Sequence, residues 1–283
     1  MEEAVEKEGA AWMPLEEAPS PQPLNSTAVF LALGGRESDA EKVALAFSCA
    51  AFSVEEAKEG EGAWGKVRPL PGGGAVVSLK VEKAVPLDHA LYPLLPEGAS
   101  LAVFDPGRVA IKEGLYSMCS CYITDAGSRE VLRNFEALTK SGEKVIDLSW
   151  ERTRQWRERA LSLLSGKSPR AFSIEAGRLD AGVLLLAGWI KEEFDLPAKI
   201  LQAPSFEASI SKVCADLEGG EAKIEEEEGK ASFKVSEGGR EFQVPKIGAC
   251  TSDLLVRQMG LLPPDPLFKD SLSFEIEGAE DVG

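Results

Sequence analysis

Residues 147–158 read DLSWERTRQWRE, and they place two tryptophans and three arginines in one segment with the composition of a helix. Ser149 is a residue type that favours the N-cap, so the helix is predicted to begin there. From that start, Arg152 and Trp156 lie four residues apart on one face, where a cation–π contact can form. Trp150 and Trp156 are six residues apart and point in different directions. One tryptophan can therefore fill a core while the other contacts something else.

Before this stretch, short apolar runs alternate with amphipathic segments. Strands are predicted at residues 27–33, 75–81, 101–104, 118–123 and 144–148, and helices at residues 38–52, 87–95 and 127–139. The tryptophan-containing helix then continues to about residue 164. Strands that alternate with helices are typical of a mostly parallel sheet. Residues 25–165 are therefore predicted to form an α/β N-terminal domain with such a sheet.

After this stretch the pattern changes. Gly166 and Pro169 interrupt both periodicities, which predicts a hinge between domains at residues 165–169. A long apolar helix is expected at residues 179–194, and helices near residues 252–259 and 266–272 close the region. Between them, strands from about residue 206 to 244 are separated by glycines typical of hairpin turns, at Gly219-Gly220, Gly229 and Gly238-Gly239. Residues 166–275 are predicted to be an α+β C-terminal domain with an antiparallel meander.

Both ends of the chain have the composition of tails. Residues 1–24 contain prolines at positions 14, 19, 21 and 23, which oppose regular structure, and they are expected to be flexible. They lack the basic start and apolar run of a secretory signal. Residues 276–283 are expected to be a second tail.

The composition limits the class of partner. The chain has 283 residues, with 47 acids against 31 bases and a formal charge of −16. A phosphate backbone requires a basic face, so nucleic acid is excluded as a partner. The longest apolar stretch, residues 181–190, is too short to span a bilayer, which argues against a membrane protein. Five scattered cysteines, an odd number, favour a reducing cytoplasm over a disulfide framework.

No complete catalytic or cofactor motif is found in the sequence. His89 is the only histidine, and it has no nucleophile motif beside it. Gly166-Lys167-Ser168 resembles the end of a phosphate loop, but Leu161 stands where the motif needs glycine. The glycines at 72–74 precede a strand and lack the spacing of a dinucleotide fingerprint. The chain is therefore predicted to be no enzyme and to bind no cofactor.

Two cysteines and a run of acids are further candidate sites. Cys119 and Cys121 lie two residues apart in a predicted strand and would share one face. They fit packed thiols, and a redox-sensing role stays open. Zinc would need two further ligands. The four glutamates at 225–228 adjoin Gly229 and are expected to be a solvated charged edge.

Three blocks of sequence resemble the OpcA family of glucose-6-phosphate dehydrogenase assembly proteins. The family motif D-L-N-W-x-R-L-x-x-W-R is matched, with departures at Ser149 and Thr153, by Asp147, Leu148, Trp150, Arg152, Trp156 and Arg157. Residues 184–190, LLLAGWI, are similar to a second family block, and residues 252–272 to a third. The order agrees from about residue 27 to 272. In the first domain, residues 94–104 lack the tryptophan pair that the family usually carries.

The resemblance implies a non-catalytic partner that assembles and allosterically activates glucose-6-phosphate dehydrogenase in the oxidative pentose phosphate pathway. NADP would then bind the dehydrogenase and not this chain. Cyanobacterial relatives are linked to thioredoxin control, which the five cysteines of this chain permit but do not indicate. The motif residues are the candidate partner interface, because tryptophan and arginine are enriched at interface positions that dominate binding; they are Asp147, Trp150, Arg152, Trp156 and Arg157.

Other interpretations remain open from the residues alone. In one interpretation, Trp156 fills a hydrophobic core and Arg157 packs over Trp156. A sugar-phosphate-binding or degenerate α/β enzyme of carbohydrate metabolism would use Arg152, Arg154 and Arg157 to hold a phosphate. A scaffold whose acidic tail recruits basic partners is a third hypothesis.

Overall fold

Packing divides the protein into two compact units. The structure is a computed structural model that describes residues 13–14, 28–60, 63–82, 86–95, 98–106, 117–125, 145–203, 209–227, 229–260 and 266–272. The units fall within Met1–Ile123 and Thr124–Gly283. The sequence predicted a boundary between residues 165 and 166 that separates two independently folding domains. A division by packing does not test independent folding, so this boundary stays a prediction. By packing, the tryptophan-containing helix belongs to the second unit.

The first unit is built on a mostly parallel sheet. Its elements are β1 (Met13–Pro14), β2 (Ala28–Leu33), α1 (Glu37–Phe47), β3 (Ala50–Ala57), β4 (Trp64–Pro69), β5 (Ala75–Glu82), α2 (Leu87–Leu91), a 3₁₀ turn (Tyr92–Leu94), β6 (Ser100–Asp105) and β7 (Cys121–Thr124), which crosses the boundary between the units. The strand order is β1-β4-β5-β3-β2-β6-β7. The central strands β5, β3, β2 and β6 are parallel, and β4 and β1 add antiparallel.

Burial explains why the central strands form. In β2, the residues from Val29 to Leu33 are all apolar and buried, as expected for a parallel strand that is covered on both faces. Helix α1 follows and buries Ala40, Val43 and Ala44. The mostly parallel sheet that the sequence predicted is confirmed.

The helix predicted at residues 38–52 is too long. It ends at Phe47, because Ser48 adopts the left-handed conformation with φ of +49° and Cys49 N donates to Ala44 O at 3.3 Å. β3 begins at Ala50 and pairs with β2 and β5. The apolar residues Ala51 and Phe52 continue the helical stripe in sequence, so periodicity alone did not separate the helix from the strand.

Other differences are local. β4 was not predicted, and the strand predicted at residues 118–123 begins only at Cys121. Met13 and Pro14, within the segment expected to be a flexible tail, form β1 and pair with β4. The helix predicted at residues 127–139 lies outside the described residues.

The second unit is a six-stranded sheet with helices. Its elements are β8 (Val145–Asp147), α3 (Leu148–Leu164), β9 (Pro169–Ala176), α4 (Ala181–Phe194), β10 (Ala198–Gln202), β11 (Ile210–Leu217), β12 (Gly220–Glu226), β13 (Ser232–Glu237), β14 (Arg240–Pro245), α5 (Thr251–Gly260) and α6 (Pro266–Leu272). The sheet order is β10-β9-β11-β12-β13-β14, and β8 is not part of this sheet. Only β9 and β10, joined by α4, are parallel among its described strands. The antiparallel meander is confirmed, and Gly219-Gly220 and Gly238-Gly239 form its turns.

Helix α4 forms the core of this unit. All residues from Ala181 to Ile190 are buried, including Trp189. Gly188 allows α6 to approach closely, because a Cβ there would lie 2.3 Å from the backbone oxygen of Ser271. No helix among the described residues is both long and apolar enough to cross a membrane.

Gly188→Ala is expected to lower the free energy of unfolding by about 1–3 kcal/mol, the usual cost of overpacking a filled core. The added methyl would meet backbone of α6, which must move. Chemical denaturation measures the change. Gly248→Ala is the control, since a Cβ there meets nothing within 4 Å. A stabilised Gly188→Ala protein would contradict the close approach, because helix propensity alone favours alanine.

Candidate functional site

The family-motif helix α3 starts from a buried aspartate. Asp147 is the N-cap, and its Oδ1 accepts from Ser149 N at 2.7 Å. Its Oδ2 accepts from Thr124 Oγ1 at 2.8 Å. The predicted cap at Ser149 is therefore wrong by two positions. An aspartate satisfies the free N–H groups of a first turn as well as a serine does, and here the strand β8 delivers Asp147 to that place.

The cation–π contact within this helix is formed by a different pair of residues from the predicted pair. The Arg157 guanidinium lies 3.4 Å from the centre of the Trp150 ring, and its Nη2 donates to Trp150 O at 3.1 Å. The two residues are seven apart, which is about two helical turns. Trp150 is fully buried and packs edge-on against Phe268 of α6, with ring centres 5.9 Å apart.

Arg152 does not stack on Trp156. It donates instead to Asp125 with both terminal nitrogens, and the Nη2–Oδ2 distance is 2.8 Å. This hydrogen bond raises the pKa of Arg152 above its usual value, so the guanidinium is charged at every relevant pH. Trp156 packs edge-on against Phe233 of β13, with ring centres 4.8 Å apart, and is 5% exposed.

A cavity of about 690 Å³ lies in the second unit beside the exposed face of α3. Its wall includes the first turns of α3 and α4, the starts of β11 and β13, the segment 246–249 and α5. Arg152 and Trp156 of the family motif border it, whereas Asp147, Trp150 and Arg157 do not. The structure thus brings two of the five predicted motif residues to one candidate site.

The segment 246–249 is fixed to α3 by hydrogen bonds. Gln155 Nε2 donates to Ile247 O at 2.6 Å, and Ile247 N donates to Gln155 Oε1 at 2.9 Å. Lys246 forms an ion pair with Glu226. Sequence patterns gave no indication of these contacts, because Gln155 and Ile247 are 92 residues apart.

Another part of the cavity wall contains Asp180, the N-cap of α4. Its Oδ1 accepts from Gly182 N at 3.0 Å, Val183 N at 3.2 Å and Ser209 Oγ at 2.6 Å. Its Oδ2 accepts from Arg178 Nε at 3.1 Å. The sequence prediction missed this cap, although an aspartate before a long apolar helix is the usual signal for one.

The predicted redox thiols are buried. Cys119 is 3% exposed and Cys121 is fully buried. Burial raises the pKa of the Cys121 thiol to about 12, with a further contribution from Cys119, so its thiolate is scarce at neutral pH. Cys119 precedes β7, so the two thiols do not share one strand face as predicted. Of the five cysteines, only Cys250 is exposed.

The remaining candidates have structural roles in the described chain. Gly72 and Gly73, both with positive φ, turn the chain between β4 and β5. Glu227 pairs with Lys230, and Glu226 with Lys246, so this acidic run is partly neutralised. Within the described ranges, no group of three or more histidine, cysteine or acidic side chains is placed to hold a metal ion.

A comparison with protein-family models matches residues 143–272 to the OpcA model that describes the C-terminal domain of a glucose-6-phosphate dehydrogenase subunit. The matched segment runs from before β8 to the end of α6, and it confirms the family resemblance that the sequence motifs carry. No curated protein sequence matches the chain.

Solved structures give weaker likenesses. A 3-ketoreductase from Actinomadura kijaniata in complex with NADP is 10% identical, with 87% of this chain and 93% of that chain covered and a TM-score of 0.43. A putative myo-inositol dehydrogenase from Sinorhizobium meliloti 1021 is 8% identical, with 87% and 94% covered and a TM-score of 0.41. Similarity at this level carries no argument about function.

We expect thiol reagents to modify Cys250 alone in the native protein at neutral pH. The other four thiols are buried, and burial raises the pKa of Cys49 and Cys214 to about 11. Mass spectrometry after brief alkylation gives the site, and all five cysteines should react in denaturant. Cys250→Ser should abolish native labelling. Rapid native labelling of Cys121 would contradict its burial.

Trp156→Ala is expected to lower the free energy of unfolding by about 3–5 kcal/mol, because it removes a buried ring from the contact between α3 and β13. Leu161→Ala on the same helix is the control, since Leu161 is 43% exposed. A Trp156→Ala protein of unchanged stability that loses a binding partner would instead support the interface prediction for this residue.

Proposed function

We propose, on the premise that residues 143–272 match the OpcA family's C-terminal domain, that this protein is a non-catalytic assembly factor of glucose-6-phosphate dehydrogenase. It binds the enzyme in the cytoplasm, assists its oligomeric assembly and activates it allosterically. The oxidative pentose phosphate pathway is then its metabolic setting, and NADP binds the enzyme.

The observation that carries the proposal is the family match over the elements from β8 to α6. The motif residues contribute the internal framework of those elements. Asp147 caps α3, Arg157 stacks on Trp150, and Trp156 packs on Phe233. The family motif therefore identifies a folded unit. We propose that the partner recognises this unit.

Activation requires that this protein binds the active form of the enzyme more tightly than the inactive form. An assembly factor that binds the active enzyme tenfold more tightly than the inactive one shifts their ratio tenfold, which is about 1.4 kcal/mol. Binding also draws dehydrogenase subunits into the competent assembly by mass action. No chemistry by this chain is needed for either effect.

We place the partner contact on the surface around β14 and the segment 246–249. Phe242 is 50% exposed and Ile247 is 59% exposed, whereas Trp156 and Arg157 are 5% and 8% exposed. β14 is an edge strand that pairs only with β13 among the described strands. Exposed apolar side chains beside an edge strand are typical of a protein-binding surface. The predicted interface residue Trp156 then supports this surface through Phe233 of β13, the strand that pairs with β14.

We propose that thioredoxin control of this protein would act on Cys250. Cys250 is the exposed cysteine, and it directly precedes α5. Cys119 and Cys121 would require local opening before they could react.

Mixing this protein with glucose-6-phosphate dehydrogenase from the same cell should give a co-eluting complex and a higher rate of NADPH formation. The combined substitution Phe242→Glu and Ile247→Glu should weaken the complex at least tenfold, because charge would be buried at the contact. Leu161→Glu is the control for an exposed apolar residue elsewhere. Absence of co-elution, or dehydrogenase turnover by this chain alone, would refute the proposed function.

A further inference from the structure

The cavity of the second unit has the size of a small-molecule site. Its volume of about 690 Å³ falls within the range of roughly 300–1,000 Å³ that is usual for ligand pockets. The lining residues that the structure describes, from Asp125 to Arg257, all lie in the second unit. The fixed segment 246–249 and the capped end of α4 give it preformed walls.

Charges in the cavity are nearly all compensated inside the protein. Among the described lining residues, three of the four cations have their own carboxylates, in the pairs Arg152–Asp125, Arg178–Asp180 and Lys246–Glu226. The fourth acid, Glu151, lies 4.0 Å from Arg154, which is outside the lining.

Arg257 is the exception. It lines the cavity from α5 and is half-buried, and it has no ion pair or hydrogen bond with any described residue. A guanidinium presents a planar set of donors that matches phosphate or carboxylate oxygens. The described part of the cavity wall therefore carries one positive charge without an internal counter-ion, on a side chain suited to an oxyanion.

The rest of the wall suits hydroxyl groups. The compensated pairs and the side chains of Ser209 and Gln155 supply both donors and acceptors at fixed places. Trp156 and Phe233 add an apolar patch between these polar groups. A second charged group on the ligand would meet a neutral wall, whereas a chain or ring of hydroxyls would find partners throughout.

We propose that this cavity binds a small polyhydroxylated molecule with one oxyanion group, of the sugar-phosphate or sugar-acid class, and that Arg257 binds the oxyanion. This site goes beyond the proposed function, which needs no ligand. A ligand here would contact α3 and the segment 246–249 together, so its binding would also stabilise the surface around Ile247.

Isothermal titration of the full chain tests the proposal. The probes are glucose 6-phosphate, gluconate, glucose and inorganic phosphate. Glucose 6-phosphate or gluconate should bind, and whichever binds more tightly identifies phosphate or carboxylate as the preferred anion. Glucose and inorganic phosphate should each bind at least tenfold more weakly, because each lacks one half of the recognised chemistry. If inorganic phosphate bound as tightly as the preferred probe, the cavity wall would not recognise hydroxyl groups and the proposal would be refuted.

Arg257→Gln should weaken binding of the preferred probe roughly tenfold or more, the usual effect of losing a charge-assisted hydrogen bond. Arg170→Gln is the matched control, because Arg170 is an exposed cation of the same unit that pairs with Glu218 outside the cavity lining, and it should bind as the parent does. Melting without ligand confirms that both variants fold. Unchanged binding by Arg257→Gln, or no binding of any probe at millimolar concentration, would refute the site. Either result leaves co-elution with the dehydrogenase unaffected, so the two proposals fail separately.

Discussion

The stack of Arg157 on Trp150 is the contact on which the second unit depends. A buried guanidinium is costly unless its charge is compensated, and here the Trp150 ring face at 3.4 Å and the Trp150 carbonyl both compensate it. Trp150 also packs against Phe268, so the stack links α3 to the closing helix α6. The rotation of α3 about its axis is set by the contacts that its tryptophans make with other elements, Trp150 with Phe268 of α6 and Trp156 with Phe233 of β13.

The exposed face of α3 gains its role from that rotation. With Trp150 and Arg157 directed inward, Arg152 and Gln155 face the cavity, where they meet Asp125 and Ile247. The same helix therefore forms the core on one side and positions a candidate ligand site on the other. The proposed partner surface lies on the segment that Gln155 holds, so the core, the cavity and the surface share one rigid support.

Some elements could be predicted because their signals are local. The glycine pairs at 219–220 and 238–239 lie in tight turns with positive φ, which glycine adopts without strain, and the meander followed from them. The end of α1 could not be predicted in this way. Ala51 and Phe52 fit a helical stripe equally well, and only pairing of β3 between β2 and β5 assigns them to a strand. The cap at Asp147 and the stack of Arg157 were missed because side-chain direction depends on the contacts around the helix.

The two kinds of sheet, the helices of the second unit and the family motif could be inferred from local sequence, because hydrophobic periodicity, turn glycines and rare tryptophans act over short distances along the chain. Which motif residues are internal, which thiol is exposed and where a cavity forms became clear only from the packed structure. Gln155 meets Ile247 across 92 residues, and Arg257 lies in the cavity wall although nothing adjacent to it in sequence marks a site. Such placements depend on packing between distant elements, which no local pattern encodes.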